Sequence, residues 1–213
     1  MLIDPGSFGM FLVAAIVLAF IPGPSVLYVL ARTLAGGKQE GISSTFGTSI
    51  GGLLHVILAA TGLTALLAAS AHAFAIVKFI GAAYLIGLGV KMIWSATQAT
   101  FQELRPGVTN GAKRAFSDGI LTEAFNVKTA LFFLAFIPQF LNHTLPVAPQ
   151  IIVYGLICVF LNTLVDLIVV SCAVWLTPLV KGSATPAKLM SFGSGSVLVG
   201  LGIYLGLGDS MSP

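Results

Sequence analysis

This sequence is short of charge. Only 8% of its 213 residues are Asp, Glu, Lys or Arg, against about 25% in ordinary globular domains. With 57% hydrophobic residues and a mean hydropathy of +1.02, too few polar side chains remain to coat a water-soluble core, so the apolar surface must face lipid. The net charge of +3 is no nucleic-acid footprint, because the ten basic residues are scattered among long apolar runs. Cysteine is scarcer still. Cys158 and Cys172 fall in one expected helix, roughly 20 Å apart at 1.5 Å per residue, which is too far for a disulfide. The phosphate loop of ATPases and the H-E-x-x-H metal motif are missing, and "GSGSVLVG" at 193–200 lacks the spacing of a dinucleotide fingerprint. No metal or cofactor is expected. The opening "MLIDPGSFGM" holds Asp4 and no Lys or Arg, unlike the basic start of a secretory signal.

What is present is a series of six apolar segments, at about 8–31, 43–69, 74–97, 116–141, 150–177 and 190–208. Each is near or above the ~20 residues that span hydrocarbon as helix. None shows the short alternating pattern of a barrel strand. The sequence therefore predicts an all-α membrane protein with six transmembrane helices. Arg32, Lys38, Arg105, Lys113, Arg114, Lys181 and Lys188 lie in the connections after the first, third and fifth segments, with Lys91 near the inner end of the third and Lys78 as the one exception. By the positive-inside rule those connections face the cytoplasm and both termini lie outside.

Two short strings recur in order. "AFIPGPSVL" from Ala19 is echoed by "AFNVKTALF" from Ala124, and "IGLG" from Ile86 by "VGLG" from Val199. This suggests a single domain, 1–213, of two three-helix halves, about 8–97 and 116–208, joined by a polar linker at about 98–115. Three spans per half make the second an inverted copy of the first.

The first segment breaks its own helix. Pro22, Gly23 and Pro24 stand in its middle, with Gly23 placed to cap and Pro24 to open a new half-helix, whose free N–H groups could meet an anionic group at the bilayer midplane. A packing kink explains the same residues equally well. The matched position in segment four carries Asn126 and Lys128. A lysine at that depth costs at least ~2.5 kcal/mol and so should face a wet or paired interior. Pro22, Gly23, Pro24, Ser25, Asn126 and Lys128 are thus the expected seat of a carboxylate.

An amine needs the opposite charge. Asp166, central to segment five, has Asn162 four residues before it on the same helix face. Asp166 could serve the substrate, take up a proton, or neutralise Lys128. Glu123 lies one turn before Asn126 and could line the inner vestibule or carry the proton. His55 belongs to the ladder Ser43, Gly47, Gly51, His55, Ala59, which reads first as a face for close helix packing, with proton transfer as the sharper alternative. Gly202 and Gly206 read as helix contacts too.

These residues resemble the lysine exporter (LysE/RhtB) family of bacterial amino-acid exporters. The resemblance rests on "PGPS" in the first segment, the Gly-rich start of the second, "GAAYLIGLGVKMIW" and "FSDGILTEAFNVKTALFFLAFIPQF", and it covers essentially the whole chain. Where the family usually has Asn-Pro-Lys, this sequence has Asn126, Val127 and Lys128, which leaves open how sharply segment four breaks. The resemblance implies export of amino acids or close derivatives across the inner membrane, driven by a proton or ion gradient. The expected partners are a small amino-acid substrate and the lipid bilayer, with a homo-oligomer left open. A passive channel, or an enzyme on a lipid-linked substrate using His55 and Asp166 as acid and base, are the alternatives.

Overall fold

The computed structural model describes residues 5–65, 71–98, 109, 111–142, 144–180 and 185–207, and every regular element among them is helical. Helix α1 (Pro5–Phe20) is followed by α2 (Pro24–Leu58), which runs on through a wider π turn (Ala59–Leu63). Then come α3 (Ala71–Gln98), α4 (Ala112–Ala124) and α5 (Val127–Leu131), the last continued by a π turn (Phe132–Phe136) and a 3-10 turn (Ile137–Phe140). Helices α6 (Val147–Val180) and α7 (Thr185–Leu207) complete the order. In hydrocarbon the backbone must satisfy its own hydrogen bonds, and helices do so within one segment.

By length and composition, Pro24–Leu63 and Val147–Ala173 can each cross a membrane, and the pair Ala112–Ala124 with Val127–Phe140, bent by 41°, makes a third if taken as one span. The stretch from Pro24 to Leu63 is 40 residues, about 60 Å of helix at 1.5 Å per residue, twice the hydrocarbon thickness. It is divided at Gly37, whose φ of 72° is a left-handed conformation that glycine adopts without steric cost. The connection expected after the first segment is therefore no loop: helix continues on both sides of a one-residue break. Arg32, expected among the loop charges, is buried in that helix and paired with Glu40, while Lys38 is exposed. Lys78, expected near an outer end, is buried as well. Arg105, Lys181 and His143 lie outside the described residues.

Packing follows the small side chains. Helix α2 lies against α4 and α6, α3 against α7, and α1 against α6 and the 3-10 turn. Where α2 meets α4, the backbones nearly touch. A Cβ on Gly51 would stand 2.7 Å from the Ile120 carbonyl oxygen, and one on Gly119 would stand 2.7 Å from that of Ser44. Gly202 plays this part between α7 and α3, where an added Cβ would stand 2.8 Å from the Ala82 carbonyl oxygen, whereas at Gly206 it would meet only the Ala82 Cβ at 4.0 Å. Aromatic rings fasten α1: Phe11 lies 4.4 Å from Tyr154 of α6 and 5.6 Å from Phe140, centroid to centroid. Cys158 and Cys172 are free thiols on α6.

Candidate functional site

The break between α1 and α2 arises from missing donors. In a continuous helix the Leu18 carbonyl would accept from the N–H of residue 22, and Pro22 has none. The chain turns with Ile21 N–H donating to Leu18 O at 3.2 Å, passes extended through Gly23 (φ −121°, ψ −177°), and restarts at Pro24, the first new helical bond running from Leu27 N–H to Gly23 O at 3.0 Å. The carbonyls left over are met from the other half of the chain. Lys128 Nζ donates to Leu18 O at 3.2 Å and to Ile21 O at 2.9 Å. The approach is close enough that a Cβ on Gly23 would stand 3.0 Å from Lys128 Cε.

Segment four breaks without a proline. Helix α4 ends at Ala124, and Asn126 caps α5 by accepting Lys128 N–H on its side-chain oxygen at 3.1 Å. With that oxygen committed, the amide nitrogen faces the other way, donating to Glu123 Oε2 at 2.9 Å and Ser25 Oγ at 3.1 Å. Ser25 in turn donates to Glu123. One carboxylate thus ties the start of α2 to the break after α4.

Between these breaks and α6 lies a cavity of about 20 Å³, lined among others by Gly23, Ser25, Glu123, Asn126, Lys128, Asn162 and Asp166. That volume is of the order needed for one water molecule. Lys128, Glu123 and Asp166 are 6%, 4% and 3% exposed, so three charge-bearing side chains meet where lipid cannot solvate them. Asp166 accepts from Thr48 Oγ1 of α2 at 2.9 Å. Among the described residues no ion pair within 4.0 Å joins Asp166 to Lys128; Arg32–Glu40 and Arg114–Asp118 are ion pairs that do form.

The expected site residues are not all brought together. Pro22 and Pro24 stand outside the lining, and Pro24 is exposed; they act through the backbone they interrupt. His55 is buried but also outside the lining. Its Nε2 is 2.8 Å from Glu123 O, at the end of α4, and its ring lies beside Phe133. It therefore does not share with Asp166 the cavity in which a substrate could meet both.

Sequence reasoning missed the hydroxyls. Thr48, Ser49, Thr129 and Thr163 all line the cavity, and Ser49 Oγ is 2.7 Å from Thr163 Oγ1. The available signal was the run "SSTFGTS" at 43–49, dense in hydroxyls for a membrane helix. Its neighbour "GTSIG" at 47–51 has the G-x-S-x-G spacing of a hydrolase nucleophile elbow, but that device needs a strand-to-helix turn, and here the string lies inside α2. Missed too was the buried Arg32–Glu40 pair, from which Glu40 also accepts Gly111 N–H at 2.9 Å, at the start of α4.

The chain is 30% identical over 200 residues to the uncharacterized membrane protein YrhP of Bacillus subtilis (strain 168), an overlap of 91% of this chain and 95% of that protein. It is 30% identical to an uncharacterized membrane protein of Vibrio cholerae, covering 73% and 75% of the two chains. A leucine efflux protein of Enterobacter sp. (strain 638) is 29% identical over 64% of each. No solved structure matches significantly. The family model described as LysE type translocator matches residues 16–209, and the chain belongs to that family of membrane transporters.

Proposed function

We propose that this protein is a secondary transporter that exports amino acids or close derivatives across the bacterial inner membrane against an inward flow of protons. The observation that carries the reading is the cavity itself. Two interrupted helices, a buried ammonium and two buried carboxylates face one small enclosed space, and intramembrane charges of this kind mark transport pathways. The efflux activity in the name of the Enterobacter relative supports the direction of transport and the substrate class.

In this reading a zwitterion lies between Lys128 and Asp166. An ammonium has three N–H donors; Lys128 uses two on Leu18 and Ile21 and has one left for a substrate carboxylate, near Gly23 and Ser25. Asp166 and Asn162 receive the amino group. Glu123 holds Ser25 and Asn126 until the cavity widens. Six spans, as two inverted halves at about 8–97 and 116–208, would open it alternately to the two sides, with the basic connections in the cytoplasm and both termini outside. The paired placement of the breaks, after Phe20 and after Ala124, supports the repeat.

Purified protein in liposomes loaded with labelled amino acids, leucine first, tests this. Efflux accelerated by an acidic exterior is expected. Efflux indifferent to the pH gradient would favour a passive channel, and no movement of any amino acid would remove the reading.

A further inference from the structure

Helices α2 and α6 run antiparallel beside the cavity, and the pairs they form change character along the seam. Thr48 Oγ1 donates to Asp166 at 2.9 Å, and Ser49 Oγ lies 2.7 Å from Thr163 Oγ1. One turn on from Thr48, Gly52 faces Val159: an added Cβ would stand 3.0 Å from Val159 Cγ2. A turn further, Val56 covers Gly155, where a Cβ would stand 2.9 Å from Val56 Cγ2 and 2.9 Å from Phe133 Cε1. Val56 and Phe133 belong to the buried apolar core, so the seam is shut at that end. Gly52 and Val159 line the cavity together with the polar pairs, whereas Val56 and Gly155 do not. The space thus has a charged end at Asp166 and an apolar wall beside it.

We infer that Gly52 and Val159 seat the side chain of the transported amino acid, and that this seat selects uncharged aliphatic side chains, its depth set by the side chain that Gly52 lacks. The inference rests on the export reading above. Gly52 lies one turn from Thr48, about 6 Å along α2 at 1.5 Å per residue. An ammonium held at Asp166 therefore leaves the wall within reach of a side chain of a few carbons. Charge supplies the exclusion. Among the described residues that line the cavity, the charge-bearing ones are Lys128, Glu123 and Asp166. A zwitterion uses Lys128 and Asp166, and Glu123 already accepts from Ser25 and Asn126. A lysine or glutamate side chain on the Gly52–Val159 wall would be a buried charge without a partner, which is strongly unfavourable.

Export from liposomes by the full-length protein tests the seat. Leucine is expected to leave at least tenfold faster than lysine or glutamate. One methylene in an apolar pocket shifts selection by roughly 10–200-fold. Gly52→Ala, whose new methyl would stand nearest the Val159 side chain, should lower the leucine-to-alanine export ratio about tenfold. Val159→Ala should move that ratio the other way and admit phenylalanine, and the double variant should bring it back towards its original value. Lysine or glutamate exported as fast as leucine, a ratio that neither variant moves, or an equal loss of leucine and alanine export in Gly52→Ala would overturn the inference. The rise in melting temperature that each amino acid produces in detergent reads the same preference without transport. Export with unmoved ratios would sink the seat and leave the transporter standing. The expected pattern of melting shifts in a protein that moves no amino acid would do the reverse, and neither export nor any melting shift would remove both.

Discussion

A single missing hydrogen at Pro22 explains where the ammonium of Lys128 goes. The Leu18 carbonyl, left with the turn bond from Ile21 N–H in place of its helical one, and the Ile21 carbonyl receive it, and hydrogen bonds to a charged group are worth about 1.5–3 kcal/mol. Lys128→Ala is therefore expected to lower the melting temperature in detergent and to cut export at least tenfold. Gly23→Ala separates the two effects. The nearest atoms to its Cβ would be the flexible end of Lys128, at 3.0 to 3.3 Å, so melting should change less than in Lys128→Ala while export falls as the ammonium is pushed aside. Lys128 and Asp166 were legible in the sequence because charge is so rare there. Thr48 and Thr163 were not, because a membrane-helix hydroxyl usually bonds back to its own helix, as both do, and nothing in the string says that it reaches further.

Helices join where glycine leaves room. An added methyl at Gly51 or Gly119 would meet backbone oxygens, which cannot swing away as a side chain can. Overpacking costs about 1–3 kcal/mol, and Gly119→Val should part α4 from α2 and lower the yield of monodisperse protein in detergent. The ladder through Gly47 and Gly51 made the contact face readable in advance; its partner on α4 was not, because a small-residue stripe names no mate. The break in segment four was readable from Asn126, whose side chain caps α5 across a 41° bend that holds no proline. The clasp across Gly37 was hidden, since Arg32 and Glu40 are eight residues apart, a separation that lines up on a straight helix but reads there as two turns' distance and no contact. Because removing one partner of a buried ion pair costs ~3–5 kcal/mol, Glu40→Ala should lower the melting temperature more than Arg114→Ala, whose pair is exposed.

At the scale of the molecule, a cavity of about 20 Å³ is far below the ~300 Å³ at which small-molecule pockets begin, so the proposed binding of an amino acid there requires α2 and α6 to separate. Ser49 and Thr163 bridge them. Ser49→Cys with Thr163→Cys, oxidised, is expected to stop export, and a reductant to restore it. Composition gave the helical membrane class at once, whereas the pairing of distant helices depends on contacts that no local pattern encodes. Those contacts also bear on where the two proposed halves would part. Helix α1 begins the chain, yet its buried carbonyl end is held by Lys128 and its rings are lodged on α6 and the 3-10 turn. On the proposed rocking of two halves, it travels with the second. The seam of that proposed motion would then run through residues 21–24 rather than the polar linker, with Pro22 and Pro24 as its two joints.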